Sequence, residues 1–268
     1  MDTLAILGVG KLGEALLSGI LRSGTAADGV VVVEKHAERA AYLTDEYGVR
    51  AVSESEAVAF ATTLLIAVKP QDVGALLDVL GPLVTPQHLV VSVAAGIPTA
   101  YLEKRLVGVP VVRVMPNTPA LVDQAMSAIS PGAHAGEEHL AAAEALLSSV
   151  GRVVRVPEHQ QDAVTALSGS GPAYFFYLVE AMIDAGILLG LPRAVAADLI
   201  VQTALGSATM LRDSGEHPVQ LREAVTSPGG TTIMAIRELE RHGVRAALLA
   251  AIEAARDRSA ELGHLYDR

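Results

Sequence analysis

The sequence predicts an α/β fold in two parts: a doubly wound, mostly parallel sheet over residues 1–157, followed by an all-helical domain over 158–268. Three observations carry that prediction. Up to about residue 157, short continuous runs of β-branched residues alternate with helical stretches. Strands covered on both faces and joined by helical crossovers read this way. Past Pro157 no strand-like run remains, and Gly or Pro marks the joints between helical stretches. The composition is 51% hydrophobic and 19% charged, yet it holds only 6 Tyr, 3 Phe and no Trp, so the core is aliphatic.

Taken in order, the strand-like runs are 4–7, 30–33, 64–68, 89–93, 111–114 and 153–156, separated by helical patterns such as 15–22 and 139–149. The runs 4–7, 30–33 and 64–68 are continuous in their apolar residues, the mark of a strand buried on both sides. The helical half reads as 162–167, 173–189, 194–212, 221–225, 232–241 and 245–262. The helices starting at Ala173 and Ala194 are apolar nearly all round, interrupted by Glu180, Asp184, Asp198 and Gln202. So small a domain does not cover such helices by itself, so subunit association is expected, with a tightly wrapped monomeric bundle as the alternative.

Composition removes several classes of chemistry. There is no cysteine, which excludes disulfides, thiolate nucleophiles, Cys-ligated zinc and iron–sulfur clusters. A metal site is not expected. With 20 basic against 30 acidic residues, the net charge of −10 repels a phosphate backbone, so nucleic acid is not an expected partner. No stretch reaches the ~18 uninterrupted apolar residues of a membrane span, and Met1-Asp2-Thr3 is no basic leader. A soluble cytoplasmic protein away from membranes is the expectation.

The first run leads straight into Gly8-Val9-Gly10-Lys11-Leu12-Gly13 and then a helix. In a Rossmann-type unit the first glycine permits the tight turn, the second lets backbone approach a pyrophosphate, and the third lets helix pack on strand. The helix N-terminus then faces the anion. The second run ends at Glu34, 21 residues after Gly13, where a ribose-binding acid belongs. Lys35, His36 and Arg39 follow at once, so the charges suit either a free ribose or a 2′-phosphate; alternatively all four only cap the next helix and face water. Three more segments fall just past strand ends, where this fold binds ligands: Ala67-Val68-Lys69-Pro70-Gln71, Ala94-Ala95-Gly96 and Met115-Pro116-Asn117-Thr118-Pro119. Small residues, prolines and one amide there describe a rigid slot for a flat nicotinamide ring; the plainer alternative makes the prolines loop-formers and Asn117 an Asx-turn residue.

In the helical half, Ser168-Gly169-Ser170-Gly171-Pro172 and Thr226-Ser227-Pro228-Gly229-Gly230-Thr231-Thr232 each open a helix. The second is the better site candidate, because glycines there expose successive N–H groups that suit a carboxylate, with the Ser227, Thr231 and Thr232 hydroxyls beside them. From spacing alone, simple N-capping is the commoner use of such residues. His217 reads as a solvated loop residue, and Tyr174, Phe175, Phe176 and Tyr177 read as core and dimer-interface packing.

The order of Gly8–Gly13, Val68-Lys69-Pro70, Val114-Met115-Pro116-Asn117, Leu167-Ser168-Gly169-Ser170-Gly171-Pro172-Ala173-Tyr174 and Val225 through Thr232 resembles pyrroline-5-carboxylate reductase along the whole chain, with Ser-Pro-Gly-Gly-x-Thr the most specific element. The resemblance implies reduction of 1-pyrroline-5-carboxylate to L-proline by NAD(P)H, with NADPH favoured on family grounds and NADH left open. It places the substrate carboxylate on the backbone around Gly230, Thr231 and Thr232, with Ser227 in the same loop, Glu158 at a substrate-associated position and Thr232 as the catalytic hydroxyl near the ring nitrogen. The residues expected at the cofactor are Gly8, Val9, Gly10, Lys11, Leu12, Glu34, Lys35, Ala67, Val68, Lys69, Pro70, Ala94, Ala95 and Asn117. It further implies an interlocked homodimer, one active site drawing on both subunits, and a decamer built as a pentamer of dimers. This chain departs from the family pattern at Glu54, where an adenosine-touching Asn is common, and at Ala224, where a polar residue is common. Within enzymes, a β-hydroxyacid dehydrogenase is the nearest rival; it resembles its relatives in using a Lys of the helical domain, and no Lys follows Lys104. A reductase of a related cyclic imine and a non-catalytic dinucleotide-binding protein are the remaining alternatives.

Overall fold

A computed structural model describes residues 3–266. Among these residues the strands are β1 (Leu4–Leu7), β2 (Val30–Val33), β3 (Arg50–Ala51), β4 (Thr63–Ile66), β5 (Leu89–Ser92), β6 (Val111–Met115), β7 (Ala125–Pro131) and β8 (Gly151–Arg155). The helices are α1 (Lys11–Arg22), α2 (Ala37–Tyr47), α3 (Glu54–Phe60), α4 (Pro70–Leu80), α5 (Thr99–Glu103), α6 (Glu137–Leu147), α7 (Gln161–Val164), α8 (Gly171–Leu188), α9 (Arg193–Ser214), α10 (Pro218–Ala224), α11 (Thr231–Arg241) and α12 (Val244–His264).

The strands form one sheet in the order β3-β2-β1-β4-β5-β6-β7-β8, with every neighbouring pair parallel except β6 and β7. Successive residues of one strand feed opposite faces: Leu4 and Ile6 enter one core with Leu16, Leu17 and Ile20 of α1, while Ala5 and Leu7 enter the other with Val73 and Leu77 of α4. That two-sided burial is why the strand runs are continuously apolar. The sequence reading did not include β3 or β7. The first is two residues long, and the second, Ala-Met-Ser-Ala-Ile-Ser-Pro, is built mostly of weak strand formers; its pairing with β6 and β8 holds it.

Local chemistry sets the helix starts around the cleft. Gly10 precedes α1 without a side-chain cap. Ser53 and Glu56 close a capping box on α3, and Pro70 occupies the first turn of α4, where its missing N–H costs no bond.

Sequence texture changes at 157/158, while packing divides the chain into 3–170 with 255–266, and 171–254. Residues 158–170 stay with the sheet through polar ties: the buried Gln161 donates to the Ala128 carbonyl (3.3 Å) and the Ser130 hydroxyl (2.8 Å). The end of α12 returns to the same unit, where Ser259 donates to Asp162 (2.7 Å) and Tyr266 meets Tyr101 edge-on.

In the second unit α8 and α9 pack closely. A Cβ on Gly186 would lie 2.8 Å from that of Ala196. Little else is covered: Phe175, Phe176, Tyr177, Leu188 and Leu189 are between 65% and 88% exposed in the single chain. Phe175, Phe176 and Tyr177 are therefore not core within the single chain, because the packing of α8 against α9 leaves them uncovered. Glu158–Leu188 and Arg193–Ser214 are also long and apolar enough to pass for membrane spans. Glu180, Asp184 and Asp198 break both into shorter uninterrupted apolar runs, which is why neither reads as a span in the sequence.

Candidate active site

A parallel sheet whose chain turns back from one side to the other opens a crevice at the carboxyl ends of the two strands flanking the reversal. Here that point lies between β1 and β4. The registers Leu7↔Val33, Leu7↔Ile66 and Ile66↔Ser92 set four strand ends level, so Gly8, Glu34, Ala67 and Val93 emerge side by side. A cleft of about 490 Å³ opens there, lined by Gly8, Val9, Gly10, Glu34, Lys35, Ala67, Val68 and Lys69, together with His36, Glu54 and Asp72.

The loop glycines differ in what they require. Gly8 has φ +87°, and a Cβ on it would lie 2.9 Å from the backbone nitrogen of Val68. Gly13 would place a Cβ 2.6 Å from the carbonyl oxygen of Gly8. Gly10 meets nothing within 4 Å, and the first N–H groups of α1 have no side-chain cap. Bare backbone and free donors facing open space fit the pyrophosphate of a dinucleotide.

Side chains stiffen the loop from below. Glu34 accepts from the N–H of Val9 (3.2 Å) and of His36 (3.0 Å). Arg39 donates to the Val9 carbonyl (3.1 Å) and pairs with Glu14, which also accepts from the Tyr47 hydroxyl (2.9 Å). Burial raises the Glu14 carboxyl, but the bonds from Arg39 and Tyr47 outweigh it and hold it below its ordinary value. Burial and the bond to Glu14 push the Tyr47 hydroxyl up to about 12.

Lys11 and Leu12 begin α1 beside this cleft, and Pro70 begins α4; none of the three lines it, and neither do Ala94, Ala95 or Asn117. Ala94 is buried and Ala95 exposed just past β5. Asn117 is not an Asx-turn residue. Its carbonyl oxygen accepts from the Met126 N–H (2.9 Å), and its amide donates to the Ser168 carbonyl and hydroxyl (both 3.3 Å). Both ends of the amide therefore tie the end of β6 to β7 and to a π-helical turn at Thr165–Gly169.

Glu158 has a comparable tie. Its carboxylate accepts from the Thr99 N–H (2.7 Å) and hydroxyl, and pairs with Arg113 (3.2 Å), whose side chain is only 9% exposed. Thr99 and Arg113 were not among the sequence candidates. The available signal was an arginine inside the apolar run Val111-Val112-Arg113-Val114, since a buried charge calls for a partner.

The second candidate loop, Ser227–Thr232, lies within the helical unit. Gly229 takes φ +67°, the Gly230 N–H donates to the Ser227 carbonyl (3.1 Å), and Gly230 is the N-cap of α11. No side chain caps α11, so its first N–H groups stay free, contrary to the capping use that spacing alone favoured. Thr231 is exposed and Thr232 half-buried in the first turn. His217, by contrast, caps α10 by accepting from the Val219 N–H (3.3 Å).

Comparisons with known proteins agree over the full length. A family model described as pyrroline-5-carboxylate reductase dimerisation matches residues 158–262. One described as NADP oxidoreductase, coenzyme F420-dependent, matches residues 3–96. The chain is 46% identical to the pyrroline-5-carboxylate reductase of Mycobacterium tuberculosis, covering 98% of this chain and 97% of that one. Among solved structures, a pyrroline-5-carboxylate reductase from Coxiella burnetii superposes with a TM-score of 0.92 at 32% identity, over 97% of this chain and 98% of that one. Plasmodium falciparum pyrroline carboxylate reductase with NADP bound gives 0.88 at 28%, over 98% of each chain. The dimerisation model spans α8 and α9, whose faces are exposed in the single chain, which supports self-association. On this relationship, continuous through sheet and helices alike, the chain belongs to the pyrroline-5-carboxylate reductase family.

Proposed function

We infer that the protein reduces 1-pyrroline-5-carboxylate to L-proline with NAD(P)H, the last step of proline biosynthesis. One observation carries this reading: the kinship at 46% identity runs through the whole chain, including both the glycine cradle and the Thr226–Thr232 loop.

The bound nicotinamide supplies the hydride; the protein supplies position and electrostatics. The backbone at Gly10 and the free N–H groups of α1 hold the pyrophosphate, with Val9, Lys11, Leu12, Ala67, Val68, Lys69 and Pro70 around it and Glu34 and Lys35 at the adenosine ribose. Ala94, Ala95 and Asn117 border the nicotinamide slot, Asn117 by fixing the backbone past β6. The free N–H groups of Thr231 and Thr232 hold the substrate carboxylate, beside Gly230 and Ser227. The Thr232 hydroxyl orients the proton on the imine nitrogen, so that the C=N carbon accepts hydride as the nitrogen becomes the amine. Glu158 contributes from the substrate side by holding Thr99 and Arg113 in place.

The working unit is an interlocked homodimer in which each active site draws on both subunits, and dimers assemble into a decamer, a pentamer of dimers. The proposed setting is the cytoplasm, without nucleic acid or membrane as partner.

The test follows oxidation of NADPH and NADH with pyrroline-5-carboxylate and with its six-membered analogue. Turnover of the five-membered imine is expected. Activity on the analogue alone would favour the related-imine reading, and dinucleotide binding without turnover a non-catalytic protein. Thr232→Ala lowers kcat on the order of a hundredfold, while Thr232→Ser restores most of it; full activity in the alanine variant would remove Thr232 from the mechanism.

A further inference from the structure

We propose that Glu34 makes this chain select the dinucleotide whose adenosine ribose carries a free 2′-hydroxyl, NADH, over its 2′-phosphorylated counterpart. The proposal rests on the reductase reading above and specifies which dinucleotide the cleft prefers.

The carboxylate cannot swing aside without loss. Glu34 follows the last residue of β2, level with Gly8 across the β1–β2 register. One of its oxygens accepts from the Val9 N–H and the other from the His36 N–H, which pins the group at the cleft wall. Each oxygen keeps a lone pair for a further donor. A ribose hydroxyl donates; a phosphate at the same position only accepts, and it brings about two negative charges against the carboxylate.

Selecting the phosphate would require a free cation beside Glu34, and the two cations that follow it in sequence, Lys35 and Arg39, each face a carboxylate. The Arg39 guanidinium pairs with Glu14, donates to the Val9 carbonyl (3.1 Å) and lies over the Tyr42 ring (5.1 Å). It does not line the cleft. Lys35 lies 3.8 Å from the carboxylate of Asp72, and its side chain is 71% exposed. Among the lining residues, three carboxylates (Glu34, Glu54, Asp72) stand against two amines (Lys35, Lys69). An acid at the end of the second strand that receives ribose hydroxyls is the general device by which this fold selects the unphosphorylated dinucleotide.

The test is binding, measured without any imine by titrating the full-length protein with NADH and with NADPH and following the fluorescence of the reduced nicotinamide. Wild type should bind NADH about tenfold or more tightly than NADPH. Glu34→Gln removes the charge and keeps one oxygen to accept the Val9 N–H, giving up only the bond from the His36 N–H. It should move the affinity ratio toward NADPH by about tenfold or more. NADPH binding as tightly as NADH in wild type, or a ratio unmoved in Glu34→Gln, overturns the proposal and leaves the reductase reading intact. Selective loss of NADPH affinity in Lys35→Ala identifies Lys35 as a phosphate ligand and also overturns it. Failure to bind either dinucleotide overturns the cofactor reading together with this one.

Discussion

Gly10→Ala puts a methyl group where the protein has no atom within 4 Å, at backbone angles (φ −69°, ψ −167°) open to any residue. Its fold stability should therefore stay within about 1 kcal/mol of wild type, with a small gain from the lower entropy of the unfolded chain. Binding should not survive as well. The methyl holds phosphate oxygens away from the loop and from the first N–H groups of α1, and a charge-assisted bond of that kind is worth about 1.5–3 kcal/mol. Losing one such bond raises the dinucleotide Kd roughly ten- to hundredfold. Gly8→Ala is the opposite case. At φ +87° a side chain is strained, and its Cβ would come within 2.9 Å of the Val68 backbone nitrogen, which has no rotamer to escape through. A cost of about 3 kcal/mol, or roughly 6–12 °C in Tm for a chain of this size, follows. Thermal melts and calorimetric dinucleotide titrations of both variants at one protein concentration provide the comparison. Unchanged affinity in Gly10→Ala, or a large fall in its Tm, would refute the assignment of that open space to the pyrophosphate.

Two further predictions come from the polar ties beside the cleft. Glu158→Ala leaves the nearly buried Arg113 without its carboxylate and removes a charge-assisted bond to Thr99, so Tm should fall by an amount equivalent to about 3 kcal/mol. Adding Arg113→Met should recover a substantial part of that loss; a double variant as unstable as the sum of the two singles would show that the pair is not coupled. The Tyr47 hydroxyl keeps its proton to about pH 12 in the folded chain, whereas the ordinary value is 10.0. Between those values unfolding releases a proton, so its contribution is present in full below pH 10 and is lost as the pH rises through 12. Tyr47→Phe should flatten that alkaline decline in chemical-denaturation curves, and an unchanged slope would argue against the shift.

Much of this molecule is legible in its residues. Continuous apolar runs mark β1 and β2 to the residue, since strands covered on both faces tolerate no polar alternation. The glycines at 8 and 13 follow from the turn and the helix contact they permit, and Glu34 lines the cleft beside Gly8. What the residues left hidden is relational. Met126 and Ser168, which take up the two ends of the Asn117 amide, lie 9 and 51 positions away. Thr99 and Arg113 lie 59 and 45 positions from the Glu158 that joins them.

By itself the sequence determined the strand-and-helix alternation, the two glycine loops and the family, because each rests on short-range patterning that backbone sterics and two-sided burial impose. Only the tertiary structure decided which polar groups are already engaged. The parallel registers bring Gly8, Glu34 and Ala67 level, and pairing across the fold leaves Gly10 and the start of α11 bare while it occupies Arg39, Asn117 and Glu158. A hydrogen bond between distant residues depends on where the chain returns, and that is set by the packing of the whole sheet.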